Sequence, residues 1–129
     1  MIKKISHLGV VVKSVKEAGR FYSSSLGAAV SAPIDRGDSK VSTVEVGNTM
    51  IELFEPVGDK GIFANFLSKR GEGLHHVCFE VADLDSEIDS LKTQGVEIIG
   101  TPAQGLEGRI IFLHPKSTHG LLIELVQKE

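Results

Sequence analysis

This sequence has one cysteine, no apolar run near the roughly 20 residues that span a bilayer, and no excess of basic residues. Each absence excludes something. A single cysteine, Cys78, forms no internal disulfide, and its place in an apolar strand reads as a small buried hydrophobe rather than a nucleophile. Lacking a long apolar run, the chain is expected to have no membrane partner. A formal net charge of −3 gives no general attraction to nucleic acid, so none is expected. No low-complexity segment breaks the chain. The start, Met1 to His7, is expected to enter a strand at once and leave no room for a signal peptide. With a free thiol, that makes the cytoplasm the expected compartment.

What is present is a motif written twice. Ile5-Ser6-His7-Leu8-Gly9-Val10-Val11-Val12 leads into a helix-like run ending at Gly27. Leu74-His75-His76-Val77-Cys78-Phe79-Glu80-Val81 leads into a similar run ending at Gly95. At an offset of 69, His7 falls on His76, Val12 on Val81, Val15 on Leu84 and Pro33 on Pro102. Met50-Ile51-Glu52-Leu53-Phe54 falls on Leu122-Ile123-Glu124-Leu125-Val126 at an offset of 72. The period is too long for a solenoid unit and fits two fused modules within 129 residues. With 41% hydrophobic residues the chain can bury one substantial core.

Each copy reads β-α-β-β-β. In the first, residues 4–12 form a strand, and Ser14-Val15-Lys16-Glu17 has the form of a capping box. A helix follows to about Leu26, with Gly27 placed to end it. A weak strand is expected at 28–32 and a loop at 33–39. Strands at 41–46 and 49–54 meet at the turn Gly47-Asn48, which makes 43 oppose 52 and puts Thr43 on the face of Glu52. One or two helical turns are expected in the connector 57–73. The second copy has a strand at 74–81, Asp83 as N-cap, a helix to about Gln94, and a short strand at 96–99. A loop at 100–107 then precedes strands 108–113 and 121–126, which flank a turn from His114 to Gly120. The boundaries are module one at about 4–56, connector 57–73 and module two at about 74–127.

Glu52 and Glu124 stand among apolar strand neighbours. A carboxylate there must meet water, a partner or a metal, because an unpaired buried charge is costly. Either Glu alone fits a solvent-facing strand. Both recurring at symmetric places, each with a His at the start of its module, point to a metal site made of His7, Glu52, His76 and Glu124. Imidazole and carboxylate together suit Co, Zn, Ni or Mn better than Mg or Ca. Four protein donors leave positions open for substrate oxygens, which suggests catalysis. His75 points to the opposite strand face and reads as a non-ligand. Lys116, in the His114–Gly120 turn, is a candidate for an anionic group or simply a solvated lysine. Lys69 and Arg70 read as solvated.

These residues resemble the vicinal-oxygen-chelate (glyoxalase/bleomycin-resistance/dioxygenase) superfamily over residues 4 to 127. Within it the chain is similar to the methylmalonyl-CoA epimerases. The likeness rests on Gly47 to Pro56, on Phe66-Leu67-Ser68-Lys69-Arg70-Gly71-Glu72-Gly73-Leu74-His75-His76, and on Phe112-Leu113-His114-Pro115-Lys116-Ser117 followed by Gly120 to Leu125. It implies an α+β fold of two tandem modules forming one curved, mostly antiparallel sheet around a metal-binding cleft. It further implies one divalent metal on His7, Glu52, His76 and Glu124, an acyl-CoA substrate, and a 1,1-proton shift at C2 through a metal-stabilised enolate. Glu124 is the expected proton-transfer group, Lys116 and Thr43 are substrate candidates, and a homodimer is expected by analogy.

The chain also departs from the pattern. Some epimerases carry a second acid on the strand matching 40–46, where a gap-free comparison finds Val41. Glu45 shares the face but lies about 13 Å further along the strand. The second acid is then Glu45, a water or a residue of 35–40. Two other activities share the fold. A glyoxalase I type lyase, acting on a methylglyoxal–thiol hemithioacetal, uses the same donor set. A metal-free drug-binding protein would not need four ligand-type residues.

Overall fold

The computed structural model describes all 129 residues. The chain is α+β and divides into two compact units, residues 7–75 and residues 1–6 with 76–129. Strand β1 (Ile2–Val11) contributes to both. Within the units four strand ladders are antiparallel (β2/β3, β3/β4, β6/β7, β7/β8) and two are parallel (β1/β4, β5/β8), so the sheet structure is mostly antiparallel.

In the unit of residues 7–75 the strand order is β2-β3-β4-β1, with β2 at Ile34–Asp35, β3 at Ser39–Val46 and β4 at Thr49–Pro56. Helix α1 (Val15–Arg20) starts where expected: the Ser14 hydroxyl accepts the Glu17 amide at 3.1 Å, and the Glu55 carboxylate accepts the Val15 amide at 2.9 Å. Its apolar stripe packs Val15 and Ala18 onto Val12, Val44 and Leu53. Full burial of each large aliphatic residue stabilises by about 1.5–3 kcal/mol.

The helix reaches Leu26 as expected, though its α-helical part ends at Arg20. It gives way at Phe21–Ser25 to a wide π turn, across a run of three serines that favour helices weakly. The weak strand expected at 28–32 is reduced to a bridge between Val30 and Val44. Pro33, which has no amide to donate, stops it. The loop expected next holds β2, which pairs with Lys40 and Val41. The hairpin forms as expected, with Gly47 at φ +58°, Val46 opposite Thr49 and Thr43 opposite Glu52. The connector carries a nine-residue helix, α2 (Ile62–Arg70), longer than the sequence suggested.

The other unit repeats this plan in the order β5-β8-β7-β6: β5 Gly73–Val81, β6 Ile98–Gln104, β7 Gly108–Leu113, β8 Ile123–Lys128. Helix α3 (Leu84–Thr93) is capped by the Asp83 carboxylate, which accepts the Ser86 amide at 3.1 Å. It buries Leu84 and Ile88 against Val81, Ile111, Leu113 and Leu125. β6 runs well past the expected short strand into the expected loop, with a register shift between Ile99 and Ala103 around Gly100 at φ +70°.

Candidate metal centre

Each unit holds one histidine–carboxylate pair, and the two pairs are built alike. In parallel strands β1 and β4, Glu52 lies beside Gly9, and His7 is two residues before Gly9. In parallel strands β5 and β8, Glu124 lies beside Cys78, and His76 is two residues before Cys78. Alternation puts residues two apart on one face, so each His meets its Glu diagonally across neighbouring strands. His7 Nε2 lies 3.3 Å from Glu52 Oε1, and His76 Nε2 lies 3.0 Å from Glu124 Oε1. The sequence offset of the two His (69) differs from that of the two Glu (72), yet the pairing register is the same.

Both pairs are withdrawn from water. His7, Glu52, His76 and Glu124 are 4%, 3%, 2% and 6% exposed. No buried side-chain nitrogen or oxygen in the chain lacks a hydrogen-bond partner. This removes the solvent-facing alternative for the two glutamates. A buried carboxylate oxygen beside an imidazole nitrogen must share a proton or a cation with it. Two such pairs supply the nitrogen and oxygen donors that borderline divalent ions take. The donor set therefore fits a metal of that class.

Around the pairs, Phe112 stands edge-on to His76 at 5.7 Å between ring centres and lies opposite Glu124 in the β7/β8 register. Thr43 lies directly opposite Glu52. Val41 is 2% exposed and belongs to the buried core, so no proton-transfer group stands at that position. Among the carboxylates of 35–40, Asp35 accepts the Gly37 amide at 2.8 Å and Asp38 accepts the Ser39 hydroxyl at 3.3 Å. His75 turns to an aromatic cluster, edge-on to Phe63 and Phe66 at 5.2 and 5.1 Å. Arg70 is not simply solvated: its guanidinium lies 5.8 Å over the Phe66 ring.

Lys116 is exposed on a 3-10 turn (Pro115–Ser117), fixed by its own amide donating to His114 Nδ1 at 3.0 Å. Sequence reasoning missed Glu107. Its carboxylate accepts the Ser6 hydroxyl at 2.8 Å and lies 3.3 Å from Lys128 Nζ, which also faces Glu80 at 3.5 Å. Burial works against the Lys128 ammonium, but the hydrogen bonds and charges of Glu107 and Glu80 outweigh it and raise its pKa above the ordinary lysine value. Nothing in the local sequence marks Glu107, because its partners are remote in the chain.

Known proteins are similar to this chain over most of its length. The family model of the glyoxalase/bleomycin resistance protein/dioxygenase superfamily matches residues 6–112. The mitochondrial methylmalonyl-CoA epimerase of Dictyostelium discoideum is 41% identical over 98% of this chain and 80% of its own length. The ethylmalonyl-CoA/methylmalonyl-CoA epimerase of Cereibacter sphaeroides is 38% identical over 98% of this chain and 99% of its own. Among solved structures, a variant of the Streptomyces coelicolor methylmalonyl-CoA epimerase in complex with 2-nitronate-propionyl-CoA superposes with a TM-score of 0.91. It is 29% identical and covers 99% of this chain and 96% of its own.

Proposed function

The chain belongs to the glyoxalase/bleomycin resistance protein/dioxygenase superfamily, and from that premise we propose that it epimerises methylmalonyl-CoA at C2. The observation that carries this is the near end-to-end identity of 38–41% to relatives bearing that activity in their names. The two buried His–Glu pairs supply the chemistry the reaction needs. We take His7, Glu52, His76 and Glu124 as the ligands of one divalent ion of the Co, Zn, Ni or Mn class. When bound, such an ion is a Lewis acid that lowers the cost of negative charge on the substrate's oxygens.

The residues do the rest. The C2 proton of a malonyl thioester is only weakly acidic, so its removal needs a base held against it and shielded from water. What supports Glu124 as that base is its burial, at 6% exposed, and its position beside His76 at 3.0 Å. Its carboxylate takes the proton on one face of C2, and a proton returns on the other. Val41 cannot return it, so that step falls to Glu45, to a water or to a group of residues 35–40. Lys116 and Thr43 remain the substrate-contact candidates.

The test is incorporation of solvent deuterium into C2 of methylmalonyl-CoA by metal-loaded protein, run beside the hemithioacetal lyase assay. Exchange without lyase turnover is the expected result. Lyase turnover with inert methylmalonyl-CoA would give the site to the glyoxalase I type activity, which needs the same donors. No helix in the chain is long and apolar enough to cross a membrane. The cytoplasm and a homodimer stay part of this proposal, and sedimentation of the purified protein tests the second.

A further inference from the structure

Cys78 does not face the core that its strand helps to build. On β5, Phe79 and Val81 pack with Leu84 and Ile88 of α3. Alternation turns His76, Cys78 and Glu80 the other way. Glu124 lies directly beside Cys78 in the β5/β8 register, so the thiol shares a face with both members of the His76–Glu124 pair. Cys78 is 0% exposed, and its Sγ lies within 4.8 Å of a Glu124 carboxylate oxygen.

The repeat sets this thiol apart. In strands β1 and β4 the residue directly beside Glu52 is Gly9, which has no side chain. In strands β5 and β8 the residue directly beside Glu124 is Cys78. The two pairs thus offer the same nitrogen and oxygen donors, and one of them adds a sulfur. The thiol donates to the Phe79 carbonyl at 4.0 Å, a long and weak contact that a metal–sulfur bond outcompetes. Metal–sulfur bonds run about 2.3 Å and metal–carboxylate bonds about 2.0–2.2 Å, so two such donors to one ion stand up to about 4.5 Å apart. Cys78 and Glu124 are within a small side-chain rotation of that spacing.

We propose that Cys78 is a further donor to the divalent ion beside His76 and Glu124, and that its sulfur makes the centre prefer Zn and Co to Mn. Thiolate sulfur selects soft and borderline ions, whereas carboxylate oxygen serves Mn as well. The metal–sulfur bond forms as the S–H bond breaks, and the proton leaves to solvent. The inference rests on the reading of His76 and Glu124 as metal ligands. It adds a donor that the paired His and Glu of the repeat do not contain.

The test is a titration of metal-free protein with Co²⁺, followed by absorption rather than by activity. Cys78 is the one cysteine in the chain, so a thiolate-to-cobalt charge-transfer band in the near ultraviolet assigns itself. In the wild type that band is expected to grow with the visible cobalt bands and to saturate at the same equivalence. In Cys78→Ser and Cys78→Ala the near-ultraviolet band is expected to vanish while the visible bands stay. The preference for Zn over Mn, read by competition, is expected to fall about tenfold or more in both variants. The wild-type spectrum decides the ligation even where a variant does not fold. Visible cobalt bands without the charge-transfer band, or an unchanged Zn preference in folded variants, would overturn the role of Cys78 and leave the His and Glu donors standing. Wild type that takes up no cobalt in equilibrium dialysis would overturn the metal reading itself, and Cys78 as a donor with it.

Discussion

Glu124→Gln keeps the size of the side chain and one hydrogen-bonding end while removing the charge that takes a proton. Exchange at C2 is expected to fall by about 10²-fold or more, with the fold intact by circular dichroism. Full activity in this variant would remove Glu124 from the chemistry. His76→Ala is harsher. It leaves the Glu124 carboxylate buried without the nitrogen now 3.0 Å away, and about 3–5 kcal/mol of stability is expected to go with it, read by urea denaturation. All four donor candidates were legible in the sequence, because a charged residue inside an apolar strand demands a partner and the demand recurs at matched places. Phe112 beside His76 was not, since an apolar residue on a strand gives no sign of which ring it meets. Glu107 was not either, because Ser6 and Lys128, which hold it, are 101 and 21 positions away (107 − 6 and 128 − 107).

At the scale of the elements, pattern was informative where one element settles its own structure. The hairpin at Gly47-Asn48, the caps at Ser14 and Asp83, and strand β4 formed where their residues called for them, while β8 begins and ends two residues later than expected. Pattern failed where a neighbour decides. The segment 28–31 and β2 exist because β3 offers them backbone partners, and β6 extends because β7 does. The packing of α3 gives a direct test. Leu84 is 0% exposed in that core, so Leu84→Ala is expected to cost about 2–5 kcal/mol by denaturant unfolding.

Between β5, β8 and the turn before β7, the Lys128 ammonium bonded to Glu107 and Glu80 adds a pH-dependent part. Its pKa is raised in the folded chain, so its contribution is fully present below the ordinary lysine value of 10.5 and is lost as pH rises through the raised value. The melting temperature of Lys128→Met is therefore expected to fall below wild type at neutral pH and to converge with it in strong alkali.

For the whole molecule, the repeat was the most useful thing in the sequence. Two copies of a β-α-β-β-β pattern, each with a His on its first strand and a Glu on its last, were readable from residue positions alone, whereas the burial and shared register of the two His–Glu pairs came from the structure. The repeat could not say where the symmetry ends. Val41 stands buried where some epimerases carry an acid, so the second proton-transfer group does not come from the repeat. Removing metal with a chelator is expected to abolish activity and lower the melting temperature, and Co or Mn is expected to restore both.

The most direct measurement is deuterium incorporation at C2 of methylmalonyl-CoA by metal-loaded wild type and Glu124→Gln, side by side. Exchange in the wild type that is lost in Glu124→Gln is the expected result. No exchange by folded, metal-loaded wild type would contradict the proposed function, and equal exchange by both would contradict the role of Glu124.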